Sequence, residues 1–176
     1  MRPAGKGGEG RRPPRDATSE YRAKVAHEFS DLSRLIVESG HPAPLGDPTS
    51  GVVVVVEQPV GPRVLQALER SLSTVGLQAA YVTYASTGLL AREILAAEPL
   101  ALVAVGSGAA RDIDALEHPL ARTSFSTAET GAWFAWTRGT AGLTLPALAP
   151  ALDDDGAKQR FWRAFLALKH LTPVTR

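Results

Sequence analysis

The chain has no cysteine. That excludes a disulfide framework, a cysteine-ligated zinc and an iron–sulfur cluster, so chemistry must come from oxygen and nitrogen side chains, from the backbone or from a bound ligand. Long apolar runs are also lacking: the five consecutive valines Val52 to Val56 fall far short of the roughly 20 residues a membrane-spanning helix needs. No excess of one charge sign is present, with 19 Lys+Arg against 18 Asp+Glu in 176 residues. The balance is uneven along the chain, because residues 1–15 hold five basic side chains and one acid, +4, which leaves −3 on the remaining 161. An acidic body lacks the clustered Lys and Arg that release counterions from a phosphate backbone. No apolar stretch follows the early basic residues as it would in a secretory signal, so a cytoplasmic location is expected.

What is present reads as one α/β domain over residues 16–176, preceded by a disordered basic tail of Gly, Pro and Arg over 1–15. Tyr21, Val25, Phe29, Leu32, Leu35 and Ile36 recur at three- and four-residue spacing, the stripe of an amphipathic helix that Gly40 and the Pro42/Pro44 pair terminate. Val52–Val56 is a continuous apolar run without alternation, the pattern of a strand buried on both faces. A helix starting at Pro62 carries Val64, Leu65, Leu68, Leu72 and Val75 on one side and is capped by Gly76. Strands are then predicted at 80–83, 101–105 and 132–136, with helices over 88–97, from Gly106 to about Leu116, and over 158–170. Residues 118–131 carry no clear period. Four strands joined by helices imply a three-layer α/β/α sandwich with a four-stranded, mainly parallel sheet.

In such a sheet ligands bind beyond the C-terminal ends of the strands, which directs attention to loops 57–61, 84–88, 106–108 and 137–142. Glu57 and Gln58, followed by Pro59, stand at the end of the most buried strand, where a carboxylate can hold a water or act as a base. The plainer reading is a solvated strand end. Gly106-Ser107-Gly108 followed by Arg111 is half of a dinucleotide fingerprint, and the third glycine is missing. Its amides can face a carbonyl or an anion at a helix N-terminus, but the glycines read first as a tight strand-to-helix turn rather than as a dinucleotide site. Ser107 lacks the flanking pattern of a nucleophile elbow, and no Ser-His-acid order stands out. His27, His41, His118 and His170 lie outside the four loops and lack H-x-x-x-H spacing, so they read as surface or capping residues, and neither a metal nor a cofactor is expected. Trp133, Phe134 and Trp136 alternate along the last predicted strand, with Trp136 placed before Thr137-Arg138-Gly139, where an aromatic beside an arginine can stack on a base.

Taken in order, these segments resemble the uracil-DNA glycosylase superfamily, in particular its thermophilic-type branch, over about Phe29 to Leu171. Val55-Val56-Glu57-Gln58-Pro59 is similar to the family's Gly-Glu-Ala-Pro-Gly strand end, Tyr81-Val82-Thr83-Tyr84 to its Tyr-Val-Thr-Asn, and Val103 to Ala110 to its apolar strand, glycine turn and Ala-rich helix. The resemblance implies excision of a flipped-out uracil, in which an acidic or amide residue handles water, an asparagine reads the base edge and a histidine stabilises the departing base. Here Glu57 keeps the acidic position, Tyr84 falls where the asparagine is expected, and Trp136-Thr137-Arg138-Gly139 stands in place of the His-Pro-Ser loop after the fourth strand. The cluster cysteines are absent, as is the aromatic that stacks on uracil. A site without its edge-reading partners loses most of its discrimination, and one without the histidine loses stabilisation of the leaving anion. The resemblance therefore implies a degenerate member that binds a nucleobase, nucleotide or nucleic acid through Glu57, Gln58, Pro59, Tyr84, Gly106, Ser107, Trp136 and Arg138. Two alternatives stand beside it: an active base-excision glycosylase using Glu57 on water, and a protein-interaction module on the same scaffold.

Overall fold

The computed structural model describes residues 16–171; the basic tail expected over 1–15 lies outside them. Helix α1 (Ala17–Glu38) starts at Asp16, whose side chain caps Ser19 N, and buries Val25, Phe29, Leu32 and Ile36. Strand β1 (Val52–Val56) is buried at every residue. Helix α2 (Pro62–Thr74) opens on Pro62 and is followed by β2 (Tyr81–Tyr84), α3 (Leu90–Ala97), β3 (Ala101–Val105) and α4 (Ser107–Ala115). The chain closes with β4 (Phe134–Ala135), β5 (Ala141–Leu145) and α5 (Asp155–Phe165), the last continued by a 3-10 turn over Leu166–His170.

The sheet has five strands in the order β2-β1-β3-β5-β4. Strands β2, β1, β3 and β5 are mutually parallel, and β4 is antiparallel to β5. Successive valines of β1 face opposite sides. Val53 and Val55 pack with α1, α3 and α4, whereas Val52, Val54 and Val56 pack with α2 and α5. Helices therefore cover both faces, which is the three-layer α/β/α arrangement.

Two expectations are corrected. The fourth parallel strand is 141–145 rather than 132–136, and the sheet has five strands rather than four. Strand β5 reads Ala-Gly-Leu-Thr-Leu, and a glycine within a strand weakens its signal. The space beside Gly142 is occupied by the Phe134 ring, 2.4 Å from where a Cβ would stand. The aromatic segment does alternate as read: Trp133 packs on the α5 side, with Nε1 donating to Ala167 O at 3.0 Å, while Phe134 and Trp136 join the other layer. Residues 118–131 are held without regular structure by Asp114, which accepts hydrogen bonds from Phe125 N at 2.7 Å, Ser126 N at 2.9 Å and Ser124 Oγ at 2.8 Å. Burial alone would raise the Asp114 carboxyl, but these donors outweigh it and hold the group below its ordinary value.

One acid lies inside the α1/α3 layer. Glu93 is fully buried and accepts a hydrogen bond from Tyr81 Oη at 2.6 Å. Its other oxygen, Oε1, and the nearby Thr83 Oγ1 are buried without a partner among the described residues. Burial raises the Glu93 carboxyl above its ordinary 4.5, and the hydrogen bond from Tyr81 only partly opposes this. A pKa raised by folding favours the protonated group in the native state, so its contribution is intact below pH 4.5 and declines as pH rises through the folded value. Glu93→Gln, which keeps the acceptor for Tyr81 and cannot ionise, should melt higher than the wild type at pH 7, with the gap closing below pH 4.5. A gap independent of pH would contradict the assignment.

Candidate functional site

Strand direction decides which loops share an end of the sheet. The C-terminal ends of β1, β2, β3 and β5 are followed by Glu57-Gln58-Pro59, by a single 3-10 turn over Ala85–Thr87, by Gly106-Ser107, and by Pro146-Ala147-Leu148-Ala149. The first three coincide with the loops chosen from sequence. The loop 137–140 does not, because β4 runs against the others. Thr140 Oγ1 donates to Pro99 O at 2.6 Å and Ala141 N to Leu100 O at 2.9 Å, while Leu100 N donates to Gly51 O at 2.8 Å. These residues precede β5, β3 and β1, so Trp136 and Arg138 stand at the opposite end of the sheet from Glu57.

Trp136 is also buried, 2% exposed, and packs against Phe125 and His118 with ring centroids 5.8 and 4.8 Å away. It is a wall of the core rather than an open stacking platform. Arg138 is exposed beside it. A groove of about 320 Å³ runs along this end, lined by Pro99, His118, Trp136 and Thr140 and flanked by the exposed Leu95 and Leu120.

At the C-terminal end a cleft of about 360 Å³ opens between β1 and β3. Its polar side carries Glu57, Gln58, Ser107 and the backbone of Gly106 and Gly108; its apolar side carries Val60, Val64, Leu68 and Leu148. Gly106 has φ +90°, a conformation that favours glycine, and turns β3 sharply into α4. Gly108 is needed for a different reason. A Cβ there would lie 1.8 Å from Glu57 Oε2 and 2.2 Å from Cδ, so the Glu57 carboxylate rests directly on the first turn of α4. That turn has no side-chain cap, and its free amides and partial positive charge favour a carboxylate or another anion.

Tyr84 is not part of the cleft lining. It is 2% exposed and packs in the α2/α5 layer with Val56 and Leu68, and burial raises its phenol above the ordinary value. A second cleft of about 530 Å³ adjoins the first across Ser107 and Ala147, with Ser126, Thr130 and Pro146 on its walls and Arg111 as its charged lining residue. The half-fingerprint thus places Arg111 one helical turn beyond Ser107, toward this second space.

One histidine read from sequence as a surface or capping residue away from the strand-end loops stands at this end. His41, in the connector after α1, reaches the turn after β2, where its Nε2 lies 3.2 Å from Ser86 Oγ. Ser86 N in turn donates to Glu57 O at 3.0 Å. The two side chains are 45 positions apart in sequence, so no spacing rule links them. Among the described residues no cluster of three or more His, Asp or Glu is placed to hold a metal ion. Among the described residues no helix is long and apolar enough to cross a membrane. No protein-family model matches the chain, and no curated protein matches it significantly.

Gly108→Ala tests the seat of Glu57. Its φ is compatible with alanine, and alanine is favoured over glycine in a helix by about 0.5–1 kcal/mol. The carboxylate is the end of a flexible side chain and can swing away. The melting temperature should therefore hold or rise slightly, while ligand binding that depends on Glu57 falls. A variant that unfolds would show that Gly108 is structurally indispensable instead.

Proposed function

We propose that this chain is a diverged uracil-DNA glycosylase-like domain that binds a nucleobase or nucleotide in the cleft between β1 and β3 and does not carry out ordinary uracil excision. The observation that carries the reading is the carboxylate of Glu57 seated on the first turn of α4 beside Gln58 and Ser107. It supplies acceptors and donors at one wall of an otherwise apolar slot. Pockets for small ligands have this composition, a mostly apolar surface with a few convergent polar groups, and begin at about 300 Å³. The amide of Gln58 can donate to or accept from a base edge, and Glu57 accepts from a ring N–H or an exocyclic amine.

The same geometry argues against standard excision. Tyr84 fills the strand end where the resemblance expects an edge-reading asparagine, and its ring is committed to the core. The loop after the last parallel strand is Pro146-Ala147-Leu148-Ala149, which has no histidine to stabilise a departing base. Glu57 alone can orient a water, but without those partners the leaving anion loses a contribution typically of about 3 kcal/mol, roughly two orders of magnitude in rate. A ligand with a 5′-phosphate extends across Ser107 toward Arg111 in the adjoining cleft.

A thermal-shift series with free bases, nucleosides and nucleoside monophosphates tests this reading. A ligand at 100 times its Kd stabilises the native state by about 2.7 kcal/mol, enough to raise the melting temperature by about 5 °C or more. Glu57→Gln should weaken every responding ligand. Arg111→Ala should weaken monophosphates by about threefold to tenfold while leaving the free base unchanged, since an exposed cation contributes little beyond its direct contact. Uracil-containing DNA incubated with stoichiometric protein should yield no abasic product. Abasic product lost on Glu57→Gln would replace the binding reading with an active glycosylase, and no response from any base or nucleotide would remove the binding reading.

A further inference from the structure

A second polar cluster stands outside the cleft, at the turn after β2. We propose that Ser86, His41 and Ser39 form a nucleophile, base and positioning residue able to accept an acyl group from a small ester. Ser39 Oγ lies 2.7 Å from Ile36 O and 2.9 Å from His41 Nδ1. A serine has one hydroxyl hydrogen. Ile36 O is a carbonyl and can only accept, so that hydrogen is directed there, and toward His41 the Ser39 oxygen is the acceptor. Nδ1 must then carry the ring proton. This tautomer, assigned from the network, leaves Nε2 of the neutral ring with a lone pair. The atom facing that lone pair, at 3.2 Å, is Ser86 Oγ, which donates.

The arrangement is the one that activates a serine: nucleophile bonded to base, base oriented by a third group. Each member is held by its own backbone. His41 N donates to Ile36 O at 3.2 Å, Ser39 N donates to Leu35 O at 3.0 Å, and Ser86 N donates to Glu57 O at 3.0 Å. Gly88, with φ +73°, closes the turn that carries Ser86, its N donating to Ala85 O at 3.3 Å. Ser86 is exposed and His41 half-buried, so the nucleophile is open to solvent while the base is partly shielded.

The step balances without a further reactant. Ser86 Oγ bonds to the ester carbonyl carbon as its proton passes to His41 Nε2, and the carbon–oxygen bond to the alcohol breaks as that proton is returned to the leaving oxygen. Water, deprotonated by the same nitrogen, then bonds to the acyl carbon, and the bond to Ser86 Oγ breaks as that proton returns to Ser86, releasing the carboxylic acid. Ser39 is a hydroxyl rather than a carboxylate, so it fixes the ring without adding negative charge to stabilise the imidazolium. Activated esters with good leaving groups are accordingly the substrate class. None of the three side chains lines the cleft assigned to the base or nucleotide, so this inference stands independently of that assignment.

Full-length protein treated with a fluorophosphonate probe should acquire one adduct, mapped to Ser86 by peptide mass spectrometry, with fluoride as the leaving group. Hydrolysis of p-nitrophenyl acetate should fall about 100-fold in Ser86→Ala and in His41→Ala. It should fall about tenfold in Ser39→Ala and return in Ser39→Thr, which keeps the hydroxyl. Circular dichroism of each variant separates loss of chemistry from loss of fold. No adduct on Ser86, or an adduct that forms equally fast in a folded His41→Ala variant, would reduce the three residues to a strap between the α1 connector and β2 and overturn the proposal.

Discussion

Everything in this molecule follows from burying Val52–Val56 on both faces. Five consecutive β-branched residues cannot be half-solvated, so the strand requires a helical layer on either side, and parallel neighbours supply those helices through crossover connections. None of the five valines is more than 8% exposed. Burial at this level contributes roughly 1.5–3 kcal/mol for each side chain. It also fixes direction. With β1 held between β2 and β3, and β2, β3 and β5 all parallel to it, four loops must converge at one end, and Glu57 is the first residue to leave the core there.

The position of Glu57 next to α4 is a consequence of the same packing. Strand β3 pairs with β1 in register from Val52 with Ala101 to Val56 with Val105, so both strands end together. The glycine turn then brings the first turn of α4 beside the Glu57 side chain. A carboxylate, an amide, a serine hydroxyl and uncapped helix amides meet there. Each of these groups donates or accepts hydrogen bonds, so the cleft offers both kinds of partner along one wall.

The parts legible in the sequence were those whose signal is local. The valine run, the Leu68 and Leu72 stripe and the Gly106 turn each announce their structure within a few residues. Strand β5 was missed because Gly142 and Thr144 dilute its apolar pattern, and the Phe134 ring that compensates for Gly142 comes from another strand. The direction of β4 was unreadable for a related reason: whether a two-residue strand runs with or against its neighbour is set by pairing, not by its own residues. That one reversal moved Trp136 and Arg138 from the site to the far end. His41 reads as a surface or capping residue because its partner, Ser86, is 45 positions away and only the fold brings the two together. Of the residues first grouped as a site, Glu57, Gln58, Pro59, Gly106 and Ser107 line one cleft, whereas Tyr84 belongs to the core.

The central claim is that recognition occurs where β1 and β3 end. Backbone amide shifts recorded by NMR during titration with the base or nucleotide that gives the largest thermal shift test it most directly. Perturbations should concentrate at Glu57, Gln58, Gly106, Ser107, Gly108 and Ala147, leaving Thr137, Arg138 and Gly139 unmoved. Shifts centred on the loop at the opposite end, or none at millimolar ligand, would contradict it.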